Sequence, residues 1–345
     1  MLRRLVLTAG ALVSLPLLGL IVFTLALALG TPPAPQAPSL AGRAEGQKLV
    51  HEGRARRWLV YEPTQPASPA PLVLILPGSG QRIESIRQVT RYRFEELAER
   101  DGALVAYAEG WEHGGLGGLA PEWNECRKST DLPAHHENVD DVGFLLRVVD
   151  EIARAYTVDT DRIYATGLSD GGDMSYRLAT EHPDRFAAIA AVIAQQAVPE
   201  NSNCLAPRGR VPVLVMNGTE DPIIPFGGGE ASFHGVLSVG DVESMEGTLR
   251  HWREINGLAG PATTEQLPDS DRTDGSRVER DTWQAGQREV VGYRVIGGGH
   301  TFPGGWQFAP EWLVGRTNRD MNGADEIWAF FQRHSRTRRP FSSDP

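Results

Sequence analysis

The sequence predicts an α/β fold, a mostly parallel sheet with helices on both faces in one large domain, and three observations predict it. Four apolar runs of strand length, residues 71–76, 163–166, 211–216 and 290–296, each stop at a turn rich in glycine, proline or aspartate. Helical apolar spacing marks residues 137–156, 174–180, 241–256 and 324–334, between and after those runs. Such alternation builds parallel sheets, because a parallel connection needs a crossover. About 290 residues follow the N-terminus, enough for one substantial core.

In chain order, Arg3 and Arg4 precede an uncharged apolar run over residues 5–29. As a helix it spans about 37 Å at 1.5 Å per residue, enough to cross a hydrocarbon core of about 30 Å. Residues 1–30 therefore read as a signal peptide, with Ala26-Leu27-Ala28 a small-residue cleavage pattern, or as an uncleaved anchor. The positive flank puts the rest of the chain outside in either case, so the expected location is extracytoplasmic: secreted, periplasmic or membrane-anchored. Residues 31–46, rich in proline and alanine, read as an extended spacer, and residues 47–335 as the domain. Residues 56–61 and 71–76 are its first strands, and Pro77-Gly78-Ser79-Gly80-Gln81 follows the second. Residues 137–156 form a helix with Asp140 and Asp141 near its start. In residues 241–256, Val242, Met245, Leu249 and Trp252 make a core-facing stripe. Residues 257–279 are polar and read as an exposed loop or hairpin, and the basic tail over residues 336–345 follows the last helix.

The chemistry centres on Gly167-Leu168-Ser169-Asp170-Gly171-Gly172, set between a strand and a helix. A serine there sits on a strained strand-to-helix turn that lifts its hydroxyl above the sheet. A hydroxyl needs a histidine to take its proton, and the imidazolium needs a carboxylate. Such chains place acid and histidine, in that order, on later loops. Asp221 leads as the acid, after the strand at 211–216 and before Pro222, with Glu220 as competitor. Of four histidines beyond it, His300 follows Gly297-Gly298-Gly299 at the end of an apolar run, whereas His251 and His334 read as solvated or half-buried helix residues. The backbone N–H of Asp170 and of Ser79 are the candidate oxyanion donors, so the Ser79 side chain itself is expected to matter little.

These motifs carry a resemblance to the secreted polyhydroxybutyrate depolymerase and feruloyl esterase-like group of α/β-hydrolases. It covers Arg56-Arg57-Trp58-Leu59-Val60-Tyr61, Leu76 to Gln81, Trp123-Asn124, Val139 to Phe144, the elbow, Gly218-Thr219-Glu220-Asp221-Pro222 and Gly298-Gly299-His300-Thr301-Phe302-Pro303-Gly304-Gly305. The resemblance implies an α/β-hydrolase fold and a Ser169, Asp221, His300 triad. It also implies an ester substrate, a feruloylated or acetylated polysaccharide or a hydroxyalkanoate polyester. Two residues depart from the pattern: Pro77 stands where the group usually has histidine, and Phe302 where it commonly has tryptophan.

The reading is thus an exported serine carboxylester hydrolase, against a serine peptidase with the same triad or a non-catalytic carbohydrate- or polymer-binding domain. Trp123, Phe226, Phe302 and Trp306 are candidate pocket residues. The formal charge of −10 argues against nucleic acid, which needs clustered cations. No cofactor is expected, nor a metal; His135-His136 with Asp131 and Glu137 reads as an exposed loop. The 2 cysteines, Cys126 and Cys204, suit one disulfide in an exported chain, or two buried thiols.

Overall fold

A computed structural model describes residues 30–113, 121–235 and 237–336. The signal or anchor segment and nearly all of the basic tail lie outside the described residues. Among the described residues no helix is long and apolar enough to cross a membrane.

The apolar run at residues 71–76 becomes β3 (Ala70–Leu76), with β4 (Leu104–Ala108) on one side and β5 (Val158–Leu168) on the other, both parallel to it. Beyond β5 the parallel order continues through β6 (Ala188–Val192), β7 (Val213–Gly218) and β12 (Arg288–Ile296). Antiparallel strands close both edges of this ten-stranded sheet: β1 (Arg43–His51) and β2 (Arg54–Glu62) against β4, and β11 (Arg277–Ala285) and β10 (Thr263–Gln266) against β12. Because β4 and β5 flank β3 on opposite sides, the winding reverses there. A crevice opens beyond the carboxyl ends of β3 and β5, the usual ligand position in such sheets.

Apolar stripes place the long helices, and a capping side chain starts three of them. On one face lie α4 (Asp141–Ala155), whose N-cap Asp140 accepts from Gly143 N at 2.9 Å, and α6 (Met245–Asn256), whose N-cap Ser244 accepts from Gly247 N at 3.0 Å. They bury Phe144, Val148, Ile152, Met245, Leu249 and Trp252 against the sheet. The other face carries α1 (Ile83–Val89), α2 (Arg93–Asp101) and α8 (Gly323–Gln332), which bury Ile86, Phe94, Leu97, Ile327 and Phe330. Val242, read as part of the α6 stripe, instead ends β9 (Leu237–Val242), which pairs with β8 (Gly229–Phe233) as a hairpin outside the main sheet.

Three expectations change. The segment at residues 31–46 runs along the domain: Trp306 Nε1 donates to Pro32 O at 3.0 Å, Leu40 packs on the core, and β1 begins at Arg43. His334 is buried, because its imidazole meets Glu289 Oε2 at 2.8 Å and Tyr164 Oη donates to its carbonyl at 2.7 Å. His135 and His136 lie on a short helix, α3 (Pro133–His136), with His135 turned to within 3.6 Å of buried Glu125. Cys126 and Cys204 form a disulfide with a Cα–Cα distance of 5.1 Å. They and Glu181 are the one grouping of potential metal ligands among the described residues, and the bond commits both sulfurs.

Candidate active site

Ser169 follows β5 directly and precedes α5 (Asp170–Glu181), with φ 51° and ψ −123°. Such a backbone is costly for a residue with a Cβ and persists only where its surroundings hold it. Ser169 N donates to Val192 O at 2.9 Å, and the flanking glycines allow the crossing. A Cβ on Gly167 would overlap the Gly171 carbonyl, and one on Gly171 would overlap the Leu76 carbonyl at the end of β3.

Asp221 follows β7. Its Oδ1 accepts from Ile223 N and Ile224 N at 2.8 and 2.9 Å, and its Oδ2 lies 2.8 Å from His300 Nδ1. Both side chains are buried, whereas Glu220 is exposed. His300 follows β12 and is held by its own N–H on Val314 O at 2.6 Å and by Gly299 N on Arg316 O at 2.9 Å. With Nδ1 engaged by the carboxylate, Nε2 is the ring nitrogen left for proton exchange. Ser169 and His300 line the same cavity. No hydrogen bond joins their side chains here; such bonds are commonly long before substrate binds.

The loop after β3 lies on the elbow: a Cβ on Gly78 would be 3.3 Å from Ser169 Cβ. The backbone N–H of Ser79 and that of Asp170 have no partner among the described residues. Four contacts fix the loop. Trp123 Nε1 donates to Pro77 O at 2.8 Å, Gly80 N to Pro121 O at 2.8 Å, Gly78 N to Gln81 Oε1 at 3.1 Å, and Ser79 Oγ to Asp170 Oδ2 at 2.9 Å. Trp123 N also donates to Asp170 Oδ2, at 3.0 Å. The Ser79 side chain, expected to be idle, thus ties one candidate donor residue to the other.

Beneath the elbow is a buried charge cluster that the sequence reading missed. Arg127 donates to Glu125 Oε1 at 2.6 Å and to Asp173 Oδ2 at 2.8 Å, with Asp170 Oδ1 4.0 Å away. Three carboxyls share one guanidinium. Burial, with Glu125 adding to it, raises Asp170 well above the usual carboxylate range. Burial pushes Asp173 up to about 7 against the pull of Arg127. The disulfide partner Cys126 sits between Glu125 and Arg127.

The cavity measures about 560 Å³. Gln81, Ser85 and Gln88 are among its polar lining residues, and Ile193, Ile223, Ile224, Phe233, Leu237 and Val239 among its apolar ones. Of the candidate pocket residues, Trp306 lines it. Trp123, Phe226 and Phe302 do not: Trp123 is the buried anchor of the loop, Phe226 packs toward the core, and Phe302 is buried with its ring centroid 6.4 Å from that of Phe94. Phe233, Leu237 and Val239 of that lining come from the β8–β9 hairpin, whose one sequence signal is the alternation Leu237, Val239 after His234-Gly235.

The Prolyl oligopeptidase family model matches residues 131–201, the stretch that contains the elbow. NocK of Nocardia uniformis subsp. tsuyamanensis, provisionally named an esterase, is 32% identical over 305 residues, covering 85% of this chain and 84% of its own. The chain belongs to the feruloyl esterase-like family of α/β-hydrolases. Feruloyl esterase B of Piromyces equi is 28% identical over 244 residues, which are 69% of this chain but 40% of that longer protein. The fold matches that of an acetyl xylan esterase from Aspergillus awamori with a TM-score of 0.55 at 16% identity, over 84% of this chain and 99% of that one.

Members of this family are carboxylic ester hydrolases, and this one carries Pro77 on the candidate oxyanion loop. Pro77 cannot make the contacts of a histidine there. In this feruloyl esterase-like chain the loop is fastened through the Pro77 carbonyl by Trp123 and through Ser79 by Asp170.

Proposed function

We propose that the protein is an exported serine esterase working through an acyl-enzyme. Ser169 Oγ attacks the ester carbonyl while His300 Nε2 takes its proton. Asp221 holds the imidazole through Nδ1 and stabilises the imidazolium. The tetrahedral oxyanion accepts from the N–H groups of Ser79 and Asp170, and its collapse expels the alcohol, which receives the proton from His300. Water then enters, is deprotonated by His300, and releases the acid and Ser169. The observation that carries the reading is that His300, paired with Asp221, lines the cavity that Ser169 also lines.

The mixed polar and apolar lining of the cavity favours an apolar alkyl or aryl acyl group joined to a more polar alcohol, as in feruloylated or acetylated polysaccharide or hydroxyalkanoate oligomers. The disulfide and the N-terminal apolar run support export. Ser169→Ala is expected to fold normally and lose hydrolysis of p-nitrophenyl acetate; a folded variant that keeps the wild-type rate refutes the mechanism. Rates on methyl ferulate, acetylated xylan and hydroxybutyrate oligomers, beside a peptide panel, separate the substrates and exclude or establish peptidase activity. Labelling by a fluorophosphonate probe distinguishes an enzyme from a binding domain.

A further inference from the structure

Gly30, the residue that follows the N-terminal apolar run in sequence, lies beside residues that line the candidate active site. Gly30 abuts Pro310, where a Cβ on the glycine would lie 2.8 Å from Pro310 Cβ, and two residues on, Pro32 O accepts from Trp306 Nε1 at 3.0 Å. Trp306 lines the catalytic cavity, as do Phe308 and Val314 on either side of Pro310. From Leu29, the last residue of the run, to Pro32 is three residues, at most about 11 Å of extended chain. No slack separates the run from the rim.

The rim is apolar on its outer side. Among the described residues four large hydrophobic side chains are exposed, and two stand here: Trp312, 55% exposed, on α7 (Glu311–Val314), and Phe233, 41% exposed, on the β8–β9 hairpin. His234 Nε2 lies 2.8 Å from Leu313 O, so hairpin and α7 meet as one surface. Tryptophan in such a place suits the polar–apolar boundary of a bilayer.

We propose that the N-terminal run is retained as a membrane anchor and seats the Trp312–Phe233 rim on the outer leaflet, so that the catalytic mouth faces lipid and draws amphiphilic esters from the bilayer. The inference rests on the esterase reading for its chemistry and on the length and end point of the run for its occupant. Three residues of tether cannot hold the mouth far from the surface where the run emerges. An apolar rim there removes the desolvation barrier to an ester sliding from lipid into the cavity.

The test uses the full chain reconstituted in vesicles of phosphatidylcholine and phosphatidylglycerol. One variant carries a Gly/Ser insertion of about 20 residues between Gly30 and Thr31, which adds roughly 25 Å of flexible tether and leaves the catalytic residues unchanged. Hydrolysis of 4-methylumbelliferyl oleate dissolved in the vesicles is expected to fall several-fold on insertion, with p-nitrophenyl acetate hydrolysis unchanged. Brominated phosphatidylcholine is expected to quench wild-type tryptophan fluorescence more than that of Trp312→Phe. Equal vesicle-ester rates with and without the insertion, equal quenching of wild type and Trp312→Phe, or an intact mass of the cell-derived protein showing residues 1–28 removed would overturn the proposal. Faster p-nitrophenyl acetate hydrolysis on insertion would also overturn it, assigning the rim as a seat for the N-terminal run itself. A protein that hydrolyses the soluble ester yet fails these tests keeps the esterase reading; wild type that hydrolyses neither ester overturns the esterase reading itself, and an insertion variant that alone loses both overturns the anchoring proposal.

Discussion

The side chain of Ser79 tests the oxyanion geometry most sharply. Its Oγ donates to Asp170 Oδ2 at 2.9 Å, and each of these residues offers a backbone N–H without a partner among the described residues. Ser79→Ala removes the tie and leaves Asp170 with Trp123 N alone among the neutral donors. Because burial raises Asp170 well above the usual carboxylate range, the tie counts as a bond between neutral groups, which contributes about 0.5–1.5 kcal/mol. If the whole of that loss falls on the transition state, kcat/KM drops roughly two- to tenfold. Ser79→Pro deletes the N–H outright and is expected to cost roughly a hundred- to a thousandfold in kcat, the range for one lost oxyanion donor. The ordering is therefore wild type, then alanine, then proline, with the loss in kcat more than in KM because the donors act on charge that develops only in the transition state. The assay is steady-state hydrolysis of p-nitrophenyl acetate, with circular dichroism to verify each fold. Asp170→Asn alone and combined with Ser79→Ala completes a double-mutant cycle, expected to show coupling. A folded alanine variant within twofold of wild type refutes the tie, and a folded proline variant at the wild-type rate removes Ser79 as a donor.

Two further predictions concern the ground beneath the elbow. Asp173 binds a proton up to about pH 7 in the folded protein, through burial, and only to about pH 4 when unfolded. Its contribution to stability is therefore full below about pH 4 and lost as pH rises through 7, with a slope of up to about 1.4 kcal/mol per pH unit. Urea titrations of wild type and Asp173→Asn are expected to diverge in the asparagine variant's favour from pH 5 to pH 8, and parallel curves contradict the shift. The Cys126–Cys204 bond closes a loop with a sequence separation of 78. In the chain-entropy model it supplies about 4.5 kcal/mol. Reduction, or Cys126→Ser with Cys204→Ser, is expected to lower the urea midpoint clearly and to reduce ester hydrolysis through the freed Arg127 segment; an unchanged midpoint rejects a stabilising role.

The residues proposed to react were legible because each lies at the end of an apolar strand where local sequence fixes the backbone. Ser169 stands between glycines whose hydrogens face carbonyls, Asp221 between a strand and Pro222, and His300 after three glycines. Where local signal was weak, so was the reading. The strand β6, Ala-Ile-Ala-Ala-Val, is alanine-rich and reads equally as helix, and β1 alternates between exposed and half-buried residues at a sheet edge. What supports the reacting groups was not legible for a different reason. Ser79 meets Asp170 across 91 residues, Trp123 reaches Pro77 across 46, and Arg127 reaches Asp173 across 46. Serine, tryptophan and arginine are each chemically able to make such contacts almost anywhere, so residue type carries no pointer to the partner. Pro77 illustrates the consequence. By sequence it is a lost histidine at the oxyanion loop, yet its carbonyl still accepts a hydrogen bond, and an indole from a distant loop supplies the donor. Backbone groups survive substitution, so a site that relies on them can change its supporting side chains while keeping its donors in place.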